Sequence, residues 1–386
     1  MHQLFEENPR DKPVRTGLPT GQASLRKPRI LVAPLDWGLG HTTRCIPVIR
    51  ELLRQGIEVW LAGEAAQETL LKAEFPDFPF LSLPGYRVRY ARSNIGLLKN
   101  IFFQIPKILR AIKKENAWLK KMADKHGFDA VIADNRYGLY HSTIPSVFIT
   151  HQLTIKSSLG KWTERILQKK NYRFINRFTQ CWVPDIDEEN NLAGDLSHPE
   201  EKPTIPIHYI GALSRFEKQN IREERNHLLI ILSGPEPQRS LLENKIIKEV
   251  SNYHGTATIV RGLPASASIV PSTNMIRFYN HLPSPELNKE MQQAEYIISR
   301  SGYSTIMDVV KLQKKSILIP TPGQTEQVYL ANYLSQKQIA FCMTQKEFSL
   351  TNAIQEAKQF SYHLPTSNNE QLLQQVISNF IASINR

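Results

Sequence analysis

Twice along this 386-residue chain a short apolar run breaks into a glycine-containing loop and then into a helical pattern. Residues 30–34 lead through a loop at 36–41 into an amphipathic segment at 42–55 that stops at Gly56. Residues 227–232 lead into the loop 233–239, where a second series begins. A run of four to six apolar residues that does not alternate has to be buried on both faces, which helices packed over a parallel sheet provide. Further runs at 57–62, 130–133, 146–150 and 181–183 extend the first series, and runs at 258–261, 275–279, 296–299 and 316–320 extend the second. The expected class is α/β, with two Rossmann-like domains facing a central cleft. A chain of this length suits two cores. The expected divisions are a tail at 1–28, one domain at 29–213, a linker at 214–224 within a polar and Pro-rich stretch at 203–224, a second domain at 225–362, and a C-terminal helix at 363–386. In that last segment Leu372, Leu373, Val376, Ile377, Phe380 and Ile381 share one side.

Cys45, Cys181 and Cys342 are far apart, with no zinc or redox spacing, so neither a disulfide framework nor a bound metal is expected. No apolar leader-type stretch opens the chain, and no run approaches the roughly 20 apolar residues of a membrane span. The expected place is therefore a reducing cytoplasm, with contact to a membrane only from its inner face. The net charge of +12 asks for an acidic partner: a phosphorylated substrate, an anionic lipid or a nucleic acid. Between residues 86 and 125 eleven basic residues face only Glu115 and Asp124 and alternate with Ile, Leu and Phe, a composition suited to an anionic membrane surface or, more plainly, to a solvated helix with an apolar core face. No motif that reads RNA or DNA accompanies this charge, so nucleic acid is not an expected partner.

Candidate chemistry lies at the ends of several apolar runs. Gly38, Gly40 and His41 lie between a strand and a helix, where backbone N–H groups receive anions and an imidazole can act as a general base; the plainer reading is a tight turn with a solvated histidine. Arg44 stands where a dinucleotide fingerprint needs its third glycine, which disfavours NAD. Asp134 and His151 with Gln152 follow strands that end at the same cleft; Asp134 is a second candidate base, with capping as its alternative role. In the second domain, Ser233, Gln238 and Arg239 occupy the first loop and suit phosphate or ribose, although two prolines also fit a rigid connector. The stretch from Ser299 to Asp308, with Ser301, Gly302, Tyr303 and Ser304 at a helix start, suits a phosphate, and Asp308 a ribose; an ordinary serine cap is the alternative. After the next strand come Gln324, Glu326 and Gln327, suited to sugar hydroxyls.

In this order, the loop 38–41, His151-Gln152, residues 211–215, the stretch 299–302, Asp308 and Glu326-Gln327 resemble the GT-B glycosyltransferases. They are most similar to the family 28 type, which includes the lipid-linked N-acetylglucosaminyltransferase of peptidoglycan synthesis. The resemblance covers roughly residues 29–345 and is strongest over 293–332. It implies an acceptor-binding first domain, a donor-binding second domain and a final helix crossing back. It places Arg215 near the phosphates, His281 and Leu282 near the base (commonly uracil), and His41 beside the acceptor. It also implies a UDP-sugar or related donor, a glycan or lipid-linked acceptor, inversion, and no metal or other cofactor. This chain departs from the family in its loop 234–237 and in Asp308, which replaces a glutamate. Residues 38–45 also resemble the opening loop of a nucleotide-sugar hydrolase of pseudaminic acid synthesis. Two rivals follow: a hydrolase that uses His41 to activate water, and a non-catalytic module that binds nucleotide or membrane.

Overall fold

The protein is described by a computed structural model covering residues 26–87, 94–157, 160–264, 266–366 and 370–384. Its first sheet contains β1 (Arg29–Pro34), β2 (Glu58–Gly63), β3 (Phe80–Ser82), β4 (Ala130–Asp134), β5 (Ser146–Ile149), β6 (Gln180–Val183) and β7 (Ile207–Tyr209). The order is β3-β2-β1-β4-β5-β6-β7, and every neighbouring pair is parallel. The second contains β8 (His227–Ile231), β9 (Thr256–Val260), β10 (Ile276–Tyr279), β11 (Tyr296–Ser299), β12 (Ser316–Leu318) and β13 (Phe341–Cys342). It runs β10-β9-β8-β11-β12-β13, again all parallel. The first sheet is flanked by helices α1 (Leu39–Arg54), α2 (Ala65–Glu74), α3 (Asn94–His126) and α4 (Lys161–Ile175). The second has α5 (Gln238–Val250), α6 (Ser284–Gln293), α7 (Tyr303–Lys311), α8 (Thr325–Gln336) and α9 (Leu350–Gln359), and α10 (Glu370–Ile384) closes the chain.

The apolar runs expected to be strands all form strands, with ends shifted by a residue or two. Three strands were not expected: β3, β7 and β13, each of two or three residues and each at a sheet edge. An edge strand has one neighbour and one wet side, so it needs no continuous apolar run. β7 lies inside the stretch whose polar, Pro-rich character had suggested only a connection. The expected loop at 36–41 is shorter than anticipated. Gly38, at φ +73°, ends it, and α1 begins at Leu39, which puts His41 in the first helical turn.

One apolar cluster runs through both halves: Ile46, Ile49 and Leu52 of α1, Ile306, Met307 and Val310 of α7, Leu330 and Leu334 of α8, and Ile377 and Phe380 of α10. The last helix crosses back onto the first domain. There Phe380 meets Trp182 edge-on at 5.5 Å, and Gln55 bonds the Gln374 carbonyl and the Ser378 hydroxyl. Among the described residues no helix is long and apolar enough to cross a membrane. The expected tail at 1–28 lies almost wholly outside the described residues, as do 88–93 of the basic stretch.

Candidate functional site

In each sheet the strand order reverses once, between β1 and β4 and between β8 and β11. Beyond the carboxyl ends of strands at such a point a crevice opens, because the helices on either side leave in opposite directions. The two crevices of this protein face each other, and most of the expected residues stand at them.

On the first side, Asp134 is the last residue of β4, paired in register with Pro34 of β1, and its side chain is fully buried. His41 Nδ1 lies 2.9 Å from Asp134 Oδ1. A carboxylate only accepts, so the imidazole donates from Nδ1 and leaves Nε2 with its lone pair. Burial would raise the Asp134 carboxyl, but Arg44 and His41 overcome this and hold it well below the usual carboxylate range. Burial and then the Arg44 charge lower the proton affinity of His41, with Asp134 pulling the other way. His151, just past β5, stacks on Tyr303 with ring centroids 4.1 Å apart and planes 10° from parallel. Gln152 accepts on its carbonyl a bond from Asn171 in α4.

On the second side three sequence features converge. Helix α7 starts after Gly302, whose side has room for more than a hydrogen, and no side chain caps its N–H groups. The serine cap considered as an alternative is therefore not formed. Ser301 instead donates to the Gln327 carbonyl of α8, and Gln327 accepts from the Thr321 N–H. Helix α8, opening at Thr325 with Glu326 in its first turn, also lacks a side-chain cap. Asp308 lies at the side of α7 toward the interdomain connection, where Ser214 Oγ donates to its Oδ1 at 2.6 Å. Burial pushes the Asp308 carboxyl up to about 6, against the pull of Arg215 and Ser214. Burial lowers the Arg215 guanidinium in turn, and among the described residues its Nε has no hydrogen-bond partner. His281 stands nearby, largely exposed, and partial desolvation followed by the Arg215 charge lowers its pKa.

The two sides touch. Ser304 Oγ donates to the Gly40 carbonyl at 3.0 Å, and His151 Nε2 lies 2.7 Å from Glu326 Oε1. Several of the expected side chains are engaged within the protein. Arg239 is buried in an ion network with Glu236 and Glu243, which shares Glu243 with Arg261, so its guanidinium serves the packing of α5 on β9. The Leu282 side chain belongs to the core with Phe216 and Val309, which is compatible with the backbone contact expected of this segment. Gln238 gives its side chain to Gln345 and its carbonyl to Arg300, while Ser233 is exposed at the loop. Gln324 accepts from Gln327 at 2.6 Å.

Arg44 was overlooked as a site residue in the sequence, where it registered only as a missing glycine. Its signal was a charge on the helix face that otherwise reads Cys45, Val48, Ile49 and Leu52. Arg300, 2% exposed, was likewise passed over; it braces the carbonyls of Gln238 and Ile319, and burial holds it at about 10.

Comparison with known proteins places this geometry. The Glycosyltransferase family 28 C-terminal domain matches residues 272–381, which include the α7 and α8 starts. Over the whole chain the architecture is shared with MurG of Acinetobacter baumannii (TM-score 0.52, 13% identity, 93% of this chain and 99% of that one). SnogD, a glycosyltransferase from Streptomyces nogalater, gives a TM-score of 0.59 at 12% identity, covering 93% and 100%. The spinosyn rhamnosyltransferase SpnG, complexed with thymidine diphosphate, gives 0.58 at 14%, covering 92% and 96%. The fold is GT-B. Within this GT-B chain, 81 residues are 35% identical to a UDP-N-acetylglucosamine--N-acetylmuramyl-(pentapeptide) pyrophosphoryl-undecaprenol N-acetylglucosamine transferase of Rhodopseudomonas palustris. The chain spans about a fifth of that relative's length, 20%.

Proposed function

We propose that the protein is a glycosyltransferase that moves a sugar from a nucleoside-diphosphate donor, a UDP-sugar first among them, to an acceptor hydroxyl with inversion. The observation that carries this reading is a free imidazole Nε2 on His41, backed by Asp134, directly across from the uncapped starts of α7 and α8. His41 Nε2 takes the acceptor proton as the acceptor oxygen bonds to the anomeric carbon. The bond from that carbon to the diphosphate breaks, and the diphosphate leaves with the electron pair. Negative charge growing on the leaving group meets the N–H groups and dipole of α7 and the Arg215 guanidinium, electrostatics already in place before the reaction. Asp308 accepts from ribose hydroxyls, and Glu326 and Gln327 stand nearest the transferred sugar. Cleft closure aligns the reactants and excludes water.

The acceptor is proposed to be a lipid-linked or cell-envelope glycan reached from the inner membrane face. The basic side chains of α3, including Lys113, Lys114, Lys120 and Lys121, and the exposed Leu109 support that approach. No metal is assigned to the reaction. Hydrolysis is the second reading, because the same His41–Asp134 pair would activate water equally well.

A thermal-shift panel of nucleoside diphosphates and their sugars tests the donor, since a bound ligand raises apparent stability by mass action. UDP or a UDP-sugar is expected to stabilise the wild type more than Asp308→Ala. A flat panel would remove the reading. Stoichiometric release of free sugar without any acceptor would replace transfer by hydrolysis, and nucleotide binding without turnover, unchanged by His41→Ala, would leave only a binding module.

A further inference from the structure

Arg44 is 2% exposed, one helical turn beyond His41. Its Nε and Nη2 both reach the Asp134 carboxylate, and Nη1 lies 3.1 Å from His151 Nδ1. A guanidinium has only donors, so His151 Nδ1 accepts and the ring proton sits on Nε2. That nitrogen donates to Glu326 Oε1 at 2.7 Å. On the other side Asp134 takes the His41 Nδ1 proton at 2.9 Å. Five side chains thus form one ordered chain, His41–Asp134–Arg44–His151–Glu326, whose donor and acceptor roles all follow from one pure donor, Arg44, and one pure acceptor, Asp134. It starts in α1, passes the ends of β4 and β5, and finishes in α8 of the opposite domain.

We propose that Arg44 is a positioning residue: it balances the Asp134 carboxylate so that His41 keeps Nε2 unprotonated, and through His151 it joins that base to Glu326 across the cleft. The proposal rests on the reading of His41 as the base. The physical argument is a charge count in a buried place. Alone with Asp134, a buried imidazole gains a proton to form an ion pair, because an opposite charge within about 4–6 Å favours the charged form. With Arg44 bidentate on the same carboxylate, that gain is already taken, and a protonated His41 would stand beside a second cation. The groups facing His41 are Arg44 from α1, Asp134 from β4, His151 after β5 and Glu326 from α8, the last already engaged by His151. Burial first and Arg44 second depress the proton affinity of His41, with Asp134 opposing them. The coupling has a mechanical side as well. His151 is gripped from the second domain by the Tyr303 ring and by Glu326, so the hand that holds Arg44 is set by closure.

The test is a histidine NMR titration of the full chain, which needs no substrate. In the wild type His41 is expected to titrate below an ordinary histidine, and in Arg44→Met to titrate at a higher pH than in the wild type. A folded Arg44→Met protein in which the His41 titration stays in place or falls overturns the proposal. Should that variant not fold, the wild type alone decides: nitrogen-15 shifts must show His151 protonated at Nε2, and an Nδ1–H tautomer overturns it. With a sugar donor, the acidic limb of the kcat/KM profile must rise in pH in the same variant, whereas a merely structural arginine lowers the whole profile without moving the limb. Absence of turnover with every nucleotide sugar would sink the proposed function and leave the titration result standing.

Discussion

The contact between the starts of α1 and α7 is one that a single methyl group can probe. A Cβ added at Gly40 would lie 2.8 Å from Ser304 Oγ and 3.3 Å from Ser304 Cβ. The hydroxyl can swing away, but it then gives up its bond to the Gly40 carbonyl, worth about 0.5–1.5 kcal/mol. The Cβ contact remains after that rotation, and overpacking of this kind typically costs about 1–3 kcal/mol. Against these terms stands the preference for Ala over Gly in a helix, up to about 1 kcal/mol. The balance for Gly40→Ala is a loss centred on about 2 kcal/mol, a factor of roughly 30 in the equilibrium it touches. Because the loss arises across the cleft and the gain is local, a second substitution separates them. In a Ser304→Gly background both obstructing atoms are gone, and Gly40→Ala should become neutral or stabilising. Urea unfolding of the four proteins closes the cycle, with an expected coupling of about 1 kcal/mol or more between the two sites. Additivity to within about 0.5 kcal/mol would mean that the starts of α1 and α7 do not meet, and the facing-crevice geometry would fall with it.

Three further outcomes follow from named contacts. Asp308, with its carboxyl pushed up to about 6 against roughly 4 when unfolded, stabilises the native state below pH about 4 and loses that contribution as pH rises through 6. Melting temperatures taken at pH 5 and pH 7.5 should therefore show wild type losing ground to Asp308→Asn at the higher pH, and parallel curves would contradict it. Phe380→Ala removes a ring that is 2% exposed against Trp182, and should lower stability by about 3–5 kcal/mol while opening α10 to protease. Glu115→Ala strips the partner from the fully buried Arg136 and the acceptor from the Tyr86 hydroxyl and the Gly138 N–H; urea unfolding should register a loss of about 3–5 kcal/mol.

The sequence disclosed the architecture because buried parallel strands need uninterrupted apolar runs, and both interior series of this chain have them. It hid β3, β7 and β13, whose edge positions relax that need. His41, Asp134, His151 and Glu326 were legible because each sits at a strand end or a helix start, in or beside a loop, and Asp308 because it follows the loop 299–302 by about two helical turns. Their mutual arrangement was not legible. That His41 and Asp134 bond to each other depends on the register that sets Pro34 beside Asp134, a contact spanning a hundred residues of chain. Arg239 misled for the opposite reason: a basic residue in a loop-to-helix junction looks available for phosphate, yet Glu243 one turn later claims it.

The final helix has a consequence beyond its packing. Because α10 is seated on the first domain, the chain passes between the halves twice, once before β8 and once before α10. A body tied at one point can swing and twist freely; tied at two, it pivots chiefly about the line through both ties. The second tie restrains sliding and skewing of one half over the other and so helps keep Ser304 opposite Gly40 and Glu326 opposite His151. A chain cut before residue 370 should keep both sheets yet open along many paths rather than one.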